Sequence, residues 1–205
     1  MIKEKVVLAA SIAMWLLAIG VGQWILVGYE NSPGLAAATP PIQWPADSQI
    51  ARSSLRPTLV MLIHPNCPCS RSSIGELALI MARCKDKLTT KVLFYKPTGV
   101  LEKWARTDLW RRAQEIPGVE VIEDLDGIEA QRFHAFTSGQ TFLYAADGHL
   151  LFSGGITASR GHSGNNAGRS AIVSLVNNGV TERARTFVFG CSLFRKGFVS
   201  QGLPS

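Results

Sequence analysis

The stretch LIHPNCPCSRSSIGEL (62–77) decides the fold, because it joins an apolar segment to a helical pattern through Cys67 and Cys69. The run LVMLI (59–63) is short and continuously apolar, which is typical of a strand covered on both faces. Residues 68–84 then carry apolar side chains at mostly helical spacing. The sequence therefore predicts a buried strand, a cysteine pair and a helix in direct succession.

The chain continues as alternating strands and helices. Further strands are predicted at 91–96, 119–124, 141–145 and 149–154, the last two joined by a hairpin turn at Ala146-Asp147-Gly148. Further helices are predicted at 99–116, 126–136 and 169–178. This order is typical of an α/β fold with a mixed central sheet and helices on both faces.

The N-terminal part of the chain predicts a membrane anchor. Residues 6–27 contain no charged side chain, and as a helix they would span ~33 Å, which matches the hydrocarbon thickness of a bilayer. Lys3 and Lys5 precede this segment, and no Lys or Arg follows it until Arg52. The positive-inside rule therefore predicts a single-pass protein of the bacterial inner membrane, with a cytoplasmic N-terminus and a periplasmic domain.

A cleaved signal peptide is the alternative, since LAAATP (35–40) offers small residues for cleavage before Thr39. We favour an uncleaved anchor, because the apolar segment is longer than the ~7–15 residues of a secretory signal. The predicted organisation is then a cytoplasmic N-terminus (1–5), a transmembrane anchor (6–28), a linker (29–56), a domain (57–180) and a basic C-terminal tail (181–205).

The charge of the chain does not indicate a nucleic-acid partner. Its 21 basic and 15 acidic residues give a net charge of +6, but they are scattered and form no basic stripe with interleaved aromatic residues. An exported domain also meets no nucleic acid. The expected partners are protein thiols and disulfides in the periplasm, with the membrane bound through the N-terminal helix, and no cofactor is predicted.

The order of elements, with a cysteine pair between the first strand and the first long helix, resembles the thioredoxin-like fold. Residues 98–123 resemble the insertion of membrane-anchored TlpA-like proteins. HPNCPCSRSS (64–73) and SGQTFLYAADGHLLFSGGITASRGHSGNNAGRSAI (138–172) are similar to RedB-like proteins, which are small and membrane-anchored. The resemblance covers roughly residues 57–178 and implies a thiol–disulfide oxidoreductase.

Three departures from the thioredoxin pattern limit this implication. A single residue, Pro68, separates the cysteines instead of two, and Asn66 stands where Trp usually precedes the first cysteine. Gln140 falls where thioredoxins carry a cis-proline before the fourth strand. In the family, that proline presents backbone to substrates and keeps metals from the thiols, so its replacement leaves ordinary thioredoxin activity and metal exclusion open.

The cysteine pair itself predicts redox chemistry. Cys67 would lie at or just before the helix N-terminus, with Pro68 as the first helical residue. The free N–H groups and the helix dipole there lower the pKa of a thiol, and Arg71 in the same turn would add to that effect. Cys67 would then attack a partner disulfide, and Cys69 would resolve the mixed disulfide. A bond across one residue is strained and therefore more reducible.

Two alternatives to redox chemistry remain open. Two thiolates also suit Cu(I), and Sco-type copper proteins share the thioredoxin-like fold and pair two cysteines with a distant histidine. Here His64 and His134 are the best-placed histidines. The other alternative is a degenerate thioredoxin-like binding module whose cysteines no longer react.

The remaining cysteines are Cys84, at the end of the first long helix, and Cys191 in FVFGCSLF (187–194). Cys84 alone is typical of a small core residue. In an oxidising compartment the two could instead form a bridge that pins the C-terminal tail. Cys191 as a resolving partner of the pair is a further option, and the sequence does not choose among these pairings.

Overall fold

The computed structural model of the protein describes residues 2–35 and 39–194. The chain divides into two compact units, Met1–Ser32 and Pro33–Ser205. The first unit holds helix α1 (Ile2–Glu30), which buries none of its side chains. By length and composition it is the one helix among the described residues that could cross a membrane. It contains the segment that the sequence predicts as an anchor.

The second unit is built on a five-stranded sheet. Its strands are β1 (Thr58–Ile63), β2 (Thr89–Lys96), β3 (Val119–Leu125), β4 (Gln140–Tyr144) and β5 (Leu150–Gly154). Their order is β3-β2-β1-β4-β5, with β1, β2 and β3 parallel to one another. Strand β4 runs antiparallel to β1 and to β5. Every residue of the central strand β1 is buried, as its continuous apolar run predicts.

Helices cover both faces of this sheet. They are α2 (Ser70–Arg83), α3 (Asp108–Gln114), α4 (Ile128–Arg132) and α5 (Ala167–Asn178), with a 3-10 turn at Glu102–Trp104. Apolar side chains of α2, α3 and α5 join one core, and α4 joins a second core with alternate residues of β1. The predicted fold class is confirmed: the domain has a mixed sheet flanked by helices in the thioredoxin-like arrangement.

The predicted helix at 99–116 is wrong as a single element. It is divided into the 3-10 turn and α3, because Thr107 adopts an extended backbone between them. The Thr107 hydroxyl donates to the carbonyl oxygen of Pro65 at 3.1 Å, in the loop that carries the cysteines. The ring of Trp104 also packs edge-on against His64. These tertiary contacts outweigh the local helical pattern.

Two segments outside the predicted domain boundaries of 57 and 180 pack on the sheet. Trp44 lies 5.1 Å from Phe133 and 5.3 Å from Tyr144, measured between ring centroids. The Tyr144 hydroxyl donates to the carbonyl oxygen of Pro41 at 3.0 Å. At the other end of the chain, Leu193 is buried in the same core. The compact unit therefore extends well beyond the predicted range on both sides.

Candidate active site

The cysteine pair lies in the turn between β1 and α2. The backbone N–H of Ser70 donates to the carbonyl oxygen of Cys67 at 3.1 Å, which closes a tight turn over Pro68. Cys69 then occupies the N-cap position of α2, with helical backbone angles. The helix begins at Ser70, two residues later than Pro68, the predicted first helical position. Cys67 still lies where the free N–H groups of the helix point.

Cys67 is almost fully buried, at 1% exposure, and its sulfur is surrounded by hydrogen-bond donors. The backbone N–H of Cys191 donates to it at 3.4 Å. The thiol of Cys191, above all, and the hydroxyl and N–H of Ser70 hold the pKa of Cys67 well below its usual range, against the opposing effect of burial. The lowered pKa favours the thiolate form of Cys67.

A short chain of hydroxyl groups supports this thiolate. The oxygens Ser70 Oγ and Ser138 Oγ are 2.7 Å apart, and the backbone N–H of His64 donates to Ser138 Oγ at 2.7 Å. A thiolate can only accept, so Ser70 donates to Cys67 and in turn accepts from Ser138. The two serines therefore form a chain of hydrogen bonds that runs from the backbone at the end of β1 to the Cys67 sulfur, and each bond in the chain strengthens the next.

Cys69 differs electrostatically from Cys67. Burial raises the pKa of the Cys69 thiol, and the neighbouring charge on Cys67 raises it further. Arg160 opposes both effects through a hydrogen bond and its positive charge. The same arginine donates from Nη1 to the carbonyl oxygen of Gly190 at 2.7 Å. The surroundings therefore favour the thiolate form of Cys67 and the thiol form of Cys69, and Arg160, a cation from the glycine-rich loop after β5, lies beside Cys69.

Arg71 does not take the role that its position in the first helical turn predicts. Its guanidinium Nη2 pairs with Asp108 Oδ2 of α3 at 2.6 Å, and both side chains are about half exposed. It is not among the groups that lower the pKa of Cys67. Arg160 is the arginine that reaches the cysteines, although nearly 100 residues separate it from them in sequence.

The histidines do not assemble a metal site with the cysteines. His64 Nδ1 accepts the backbone N–H of Asn66 at 3.2 Å, and burial lowers the pKa of His64 although the charge of Cys67 raises it. His134 Nδ1 lies 2.6 Å from the carbonyl oxygen of Thr39. Within residues 2–35 and 39–194, no three His, Cys, Asp or Glu side chains form a group that could hold a metal ion.

Gln140 stands at the first position of β4 and is buried. Its Nε2 donates to Ser153 Oγ at 3.2 Å, whereas its Oε1 has no hydrogen-bond partner. No cis peptide bond occurs in the described part of the chain. The turn before β4 is therefore a trans turn, and its backbone at Ser138 is already engaged: its N–H donates to the carbonyl oxygen of Cys191 at 2.8 Å.

Cys84 and Cys191 are not placed to pair with each other. Cys84 is fully buried at the C-terminal end of α2, with its sulfur 3.7 Å from Asn177 Nδ2. Cys191 contacts Cys67, which lies near the opposite end of α2. The 14 residues of this helix correspond to a length of about 20 Å. A disulfide requires Cα atoms less than ~7 Å apart. The structure instead adds Cys191, Ser70, Ser138 and Arg160 to the predicted site.

These four residues carry no distinctive sequence signal. Ser70 directly follows the pair, so its proximity follows from chain connectivity alone. Ser138, Arg160 and Cys191 reach the site only through the pairing of β1 with β4 and the return of the C-terminal segment. Such long-range contacts are not encoded in any local spacing of residue types.

Comparison with known proteins supports the fold. An uncharacterized conserved protein from Geobacillus kaustophilus aligns with a TM-score of 0.55 and 18% identity, over 82% of this chain and 94% of its own. A hypothetical protein from Sinorhizobium meliloti 1021 aligns with a TM-score of 0.53 and 17% identity, over 79% and 93%. A more distant match is a secreted Mycobacterium tuberculosis disulfide oxidoreductase, with a TM-score of 0.41 and 14% identity, over 60% and 81%.

No protein-family model matches the chain. No curated protein matches it either. The strand order, together with the matches to the Geobacillus and Sinorhizobium proteins, shows the fold: a mixed sheet flanked by helices in the thioredoxin-like arrangement. In the described part of the chain, one apolar helix long enough to span a membrane precedes this domain in sequence.

Proposed function

We propose that the protein is a membrane-anchored thiol–disulfide oxidoreductase whose redox residues are Cys67 and Cys69. The observation that carries the proposal is the setting of the buried Cys67 sulfur beside the start of α2, where it accepts the backbone N–H of Cys191 at 3.4 Å. Its contacts with Cys191 and Ser70 lower its pKa and favour the thiolate. A thiolate is the reactive form of cysteine in disulfide exchange, and a low pKa also makes it a good leaving group. A structural cysteine in an apolar core would have a raised pKa, as Cys84 has.

Cys69 is proposed as the second redox residue because it shares a hydrogen bond with Cys67. Its thiol is protonated while Cys67 carries the charge. Once Cys67 has entered a disulfide, the repulsion between the two sulfurs disappears and Arg160 remains to stabilise a Cys69 thiolate. The pair can therefore exchange a disulfide between itself and a partner without a cofactor.

The location of this chemistry is part of the proposal. An anchor in residues 6–28 with Lys3 and Lys5 on the cytoplasmic side would place the domain in the periplasm, attached to the bacterial inner membrane. Disulfides persist in that compartment. The partners would be thiols and disulfides of periplasmic proteins, and an external dithiol or disulfide would return the site to its starting state.

Catalysed exchange on a model peptide disulfide tests the proposal. The full chain in detergent is supplied with glutathione as the reductant, and reduction of the peptide is followed with time. We expect catalysis by the parent chain and by Cys84→Ala, the matched control at the other end of α2, and its loss in Cys67→Ser. A parallel titration with Cu(I) covers the copper alternative. Stoichiometric Cu(I) binding without any disulfide turnover would contradict the proposal.

A further inference from the structure

Cys191 is a third cysteine of the site, and the proposed function gives it no redox role. Although it lies more than 120 residues from the pair, both its backbone N–H and its thiol contact the Cys67 sulfur. The contact is a hydrogen bond between two cysteine side chains, with Cys67 as the acceptor. Two such sulfurs in hydrogen-bond contact are the reduced half of a dithiol–disulfide couple.

Backbone pairing holds this contact in place. The N–H of Ser138 donates to the carbonyl oxygen of Cys191 at 2.8 Å, and the N–H of Leu193 donates to the carbonyl oxygen of Phe136 at 2.9 Å. Leu193 is also buried in the core. The segment around Cys191 is therefore docked along the turn before β4, and its cysteine is presented to Cys67 in a defined register.

Gly190 fixes this register from the other side. A Cβ atom at position 190 would lie 2.0 Å from the carbonyl oxygen of Ser138, a distance that no side chain tolerates. The Gly190 carbonyl oxygen also accepts the hydrogen bond from Arg160. The sequence Gly190-Cys191 thus lets the two backbones approach closely enough for the sulfurs to meet.

The three cysteines of the site differ in how exposed the whole residue is. Cys67 is 1% exposed and Cys69 is 8% exposed, whereas Cys191 is only partly buried. Of the three residues, Cys191 is the most exposed and Cys67 is the most buried. Access to the bonded pair is therefore easier from the side of Cys191 than from the side of Cys67.

We infer that Cys191 is a third redox residue of this protein: the oxidised site carries a Cys67–Cys191 disulfide, and exchange with external thiols takes place on the Cys191 sulfur. The inference rests on the proposed function and identifies the atom of that site that meets the partner. Its partners are thiols, from proteins or from small molecules such as glutathione.

The exchange proceeds in two balanced steps. A partner thiolate attacks Cys191 Sγ, a new sulfur–sulfur bond forms, the bond to Cys67 breaks and Cys67 leaves as its stabilised thiolate. A second partner thiolate then attacks the partner sulfur bound to Cys191, and Cys191 leaves and takes up a proton. The partner loses two electrons as its disulfide forms, and the site gains them. Reduction of a partner disulfide reverses these steps. Cys191 gives up its proton as it attacks the partner disulfide and releases one partner thiol, and the Cys67 thiolate then attacks Cys191 Sγ and releases the second. An external dithiol returns the site to its reduced state.

Electrostatics favours this division of roles. The hydrogen bond to Cys67 raises the pKa of Cys191, and burial and the charge of Cys67 raise it further. Cys191 therefore stays a thiol while Cys67 is charged. In an exchange, the thiol with the lower pKa leaves faster, which favours attack of an external thiolate on Cys191 with Cys67 as the leaving group. The more exposed residue is thus the attacked one and the more buried residue the released one.

Ring geometry favours Cys67–Cys191 over Cys67–Cys69. A disulfide across Pro68 closes a small ring and must depart from relaxed geometry, which costs free energy. The Cys67–Cys191 bond closes a long loop whose ends the fold already holds in contact. Attack of Cys69 on the Cys67 sulfur would convert one bond into the other, so the Cys67–Cys69 disulfide is the minor form of the same oxidised state.

Disulfide mapping on the unmodified full chain tests the inference. The chain in detergent is oxidised with glutathione disulfide, its free thiols are alkylated and it is digested with trypsin. Cys67 and Cys69 fall in the peptide 53–71, and Cys191 falls in the peptide 186–195. We expect these two peptides to be joined in most of the oxidised protein, with Cys69 and Cys84 alkylated. Fragmentation before Pro68 separates Cys67 from Cys69 and identifies the linked sulfur.

The other outcomes are distinct from this one. A bridge within peptide 53–71, with Cys191 alkylated, would overturn the inference and leave the proposed function standing. Alkylation of all four cysteines under every oxidising condition would overturn both. As a second measurement, Cys67→Ser is treated with glutathione disulfide: we expect a glutathione adduct on Cys191 at least severalfold more abundant than on Cys69. Equal or inverse labelling would contradict the partner-facing role of Cys191.

Discussion

At the scale of single residues, the reactivity of Cys67 depends on groups that are remote in sequence. The position of Cys67 near the start of α2 is predictable from the sequence. A short apolar strand, the cysteines and a helical pattern follow one another directly, which fixes where the chain turns. The donors that stabilise the thiolate are not predictable in this way. Arg71, the nearest cation in sequence, pairs with Asp108 instead. The largest contribution to the lowered pKa of Cys67 comes from Cys191.

Replacement of Ser70 by Ala tests the hydroxyl contribution. It removes a hydrogen bond to a charged acceptor, which contributes roughly 1.5–3 kcal/mol, or about 1–2 pKa units. The pKa of Cys67 should therefore rise, and on acidification the thiolate should be lost at a higher pH than in the parent chain. The measurement is ultraviolet thiolate absorbance against pH, with the spectrum of Cys67→Ser subtracted.

Ser72→Ala is the matched control, since the Ser72 hydroxyl donates to the carbonyl oxygen of Gly161 and not to Cys67. It should leave the titration unchanged. Equal curves for Ser70→Ala and the parent chain would mean that the serine hydroxyls do not support the thiolate.

At the scale of elements, the sequence predicts the strands and most helices, because each follows a local apolar pattern. It does not predict the interruption of 99–116, where contacts with the cysteine loop override the helical pattern. It also does not predict that the segment around Cys191 docks beside β4. That arrangement depends on backbone approach at Gly190 and Ser138, which leaves no periodic signal in the sequence.

Gly190→Ala tests this docking. The added methyl group cannot be accommodated against the Ser138 carbonyl oxygen, so the segment must move away and withdraw Cys191 from Cys67. We expect the pKa of Cys67 to rise and the yield of joined peptides 53–71 and 186–195 to fall severalfold. Gly75→Ala is the control: its Cβ meets nothing within 4 Å on α2, and Ala favours the helix. An unchanged yield in Gly190→Ala would contradict the role of this close approach.

A buried ion pair links α2 to α5. Glu76 and Arg169 are 3% and 8% exposed as side chains and form a direct hydrogen bond. Glu76→Gln leaves a buried guanidinium without its counter-charge, which should lower the free energy of unfolding by about 3–5 kcal/mol. The measurement is denaturant unfolding of the full chain in detergent.

Asp108→Asn provides the contrast, because it breaks only exposed ion pairs, those of Asp108 with Arg71 and Arg112. Loss of an exposed pair should cost less than about 1 kcal/mol. If both variants lose the same small amount of stability, the Glu76–Arg169 pair does not hold α2 and α5 together.

At the scale of the whole molecule, composition predicts an anchor followed by one α/β domain, and α1 and the sheet are present in the structure. The segments predicted as a linker and a tail instead contribute Trp44 and Leu193 to the core. Their apolar residues are too sparse to show a period, so sequence patterning assigns them to no element. Both predicted domain boundaries consequently fall inside the compact unit.

Processing of the N-terminus tests the proposed anchor. We expect the mature protein to retain residues 6–28, to remain with the membrane fraction after high-salt washing, and to be released when residues 1–30 are deleted. The measurement is N-terminal sequencing together with fractionation. A mature N-terminus at Thr39 would show instead that the apolar segment is a cleaved signal.

The central claim is that Cys67 takes part in a reversible two-electron redox couple. Equilibration of the full chain with glutathione redox buffers, followed by acid quenching and counting of free thiols, measures this most directly. We expect a single reversible transition in which two thiols disappear together. It should be retained in Cys84→Ala and abolished in Cys67→Ser, where thiols are lost only singly, as glutathione adducts. Four free thiols in the parent chain at every ratio of oxidised to reduced glutathione, or a joint loss of two thiols that survives in Cys67→Ser, would contradict the role of Cys67.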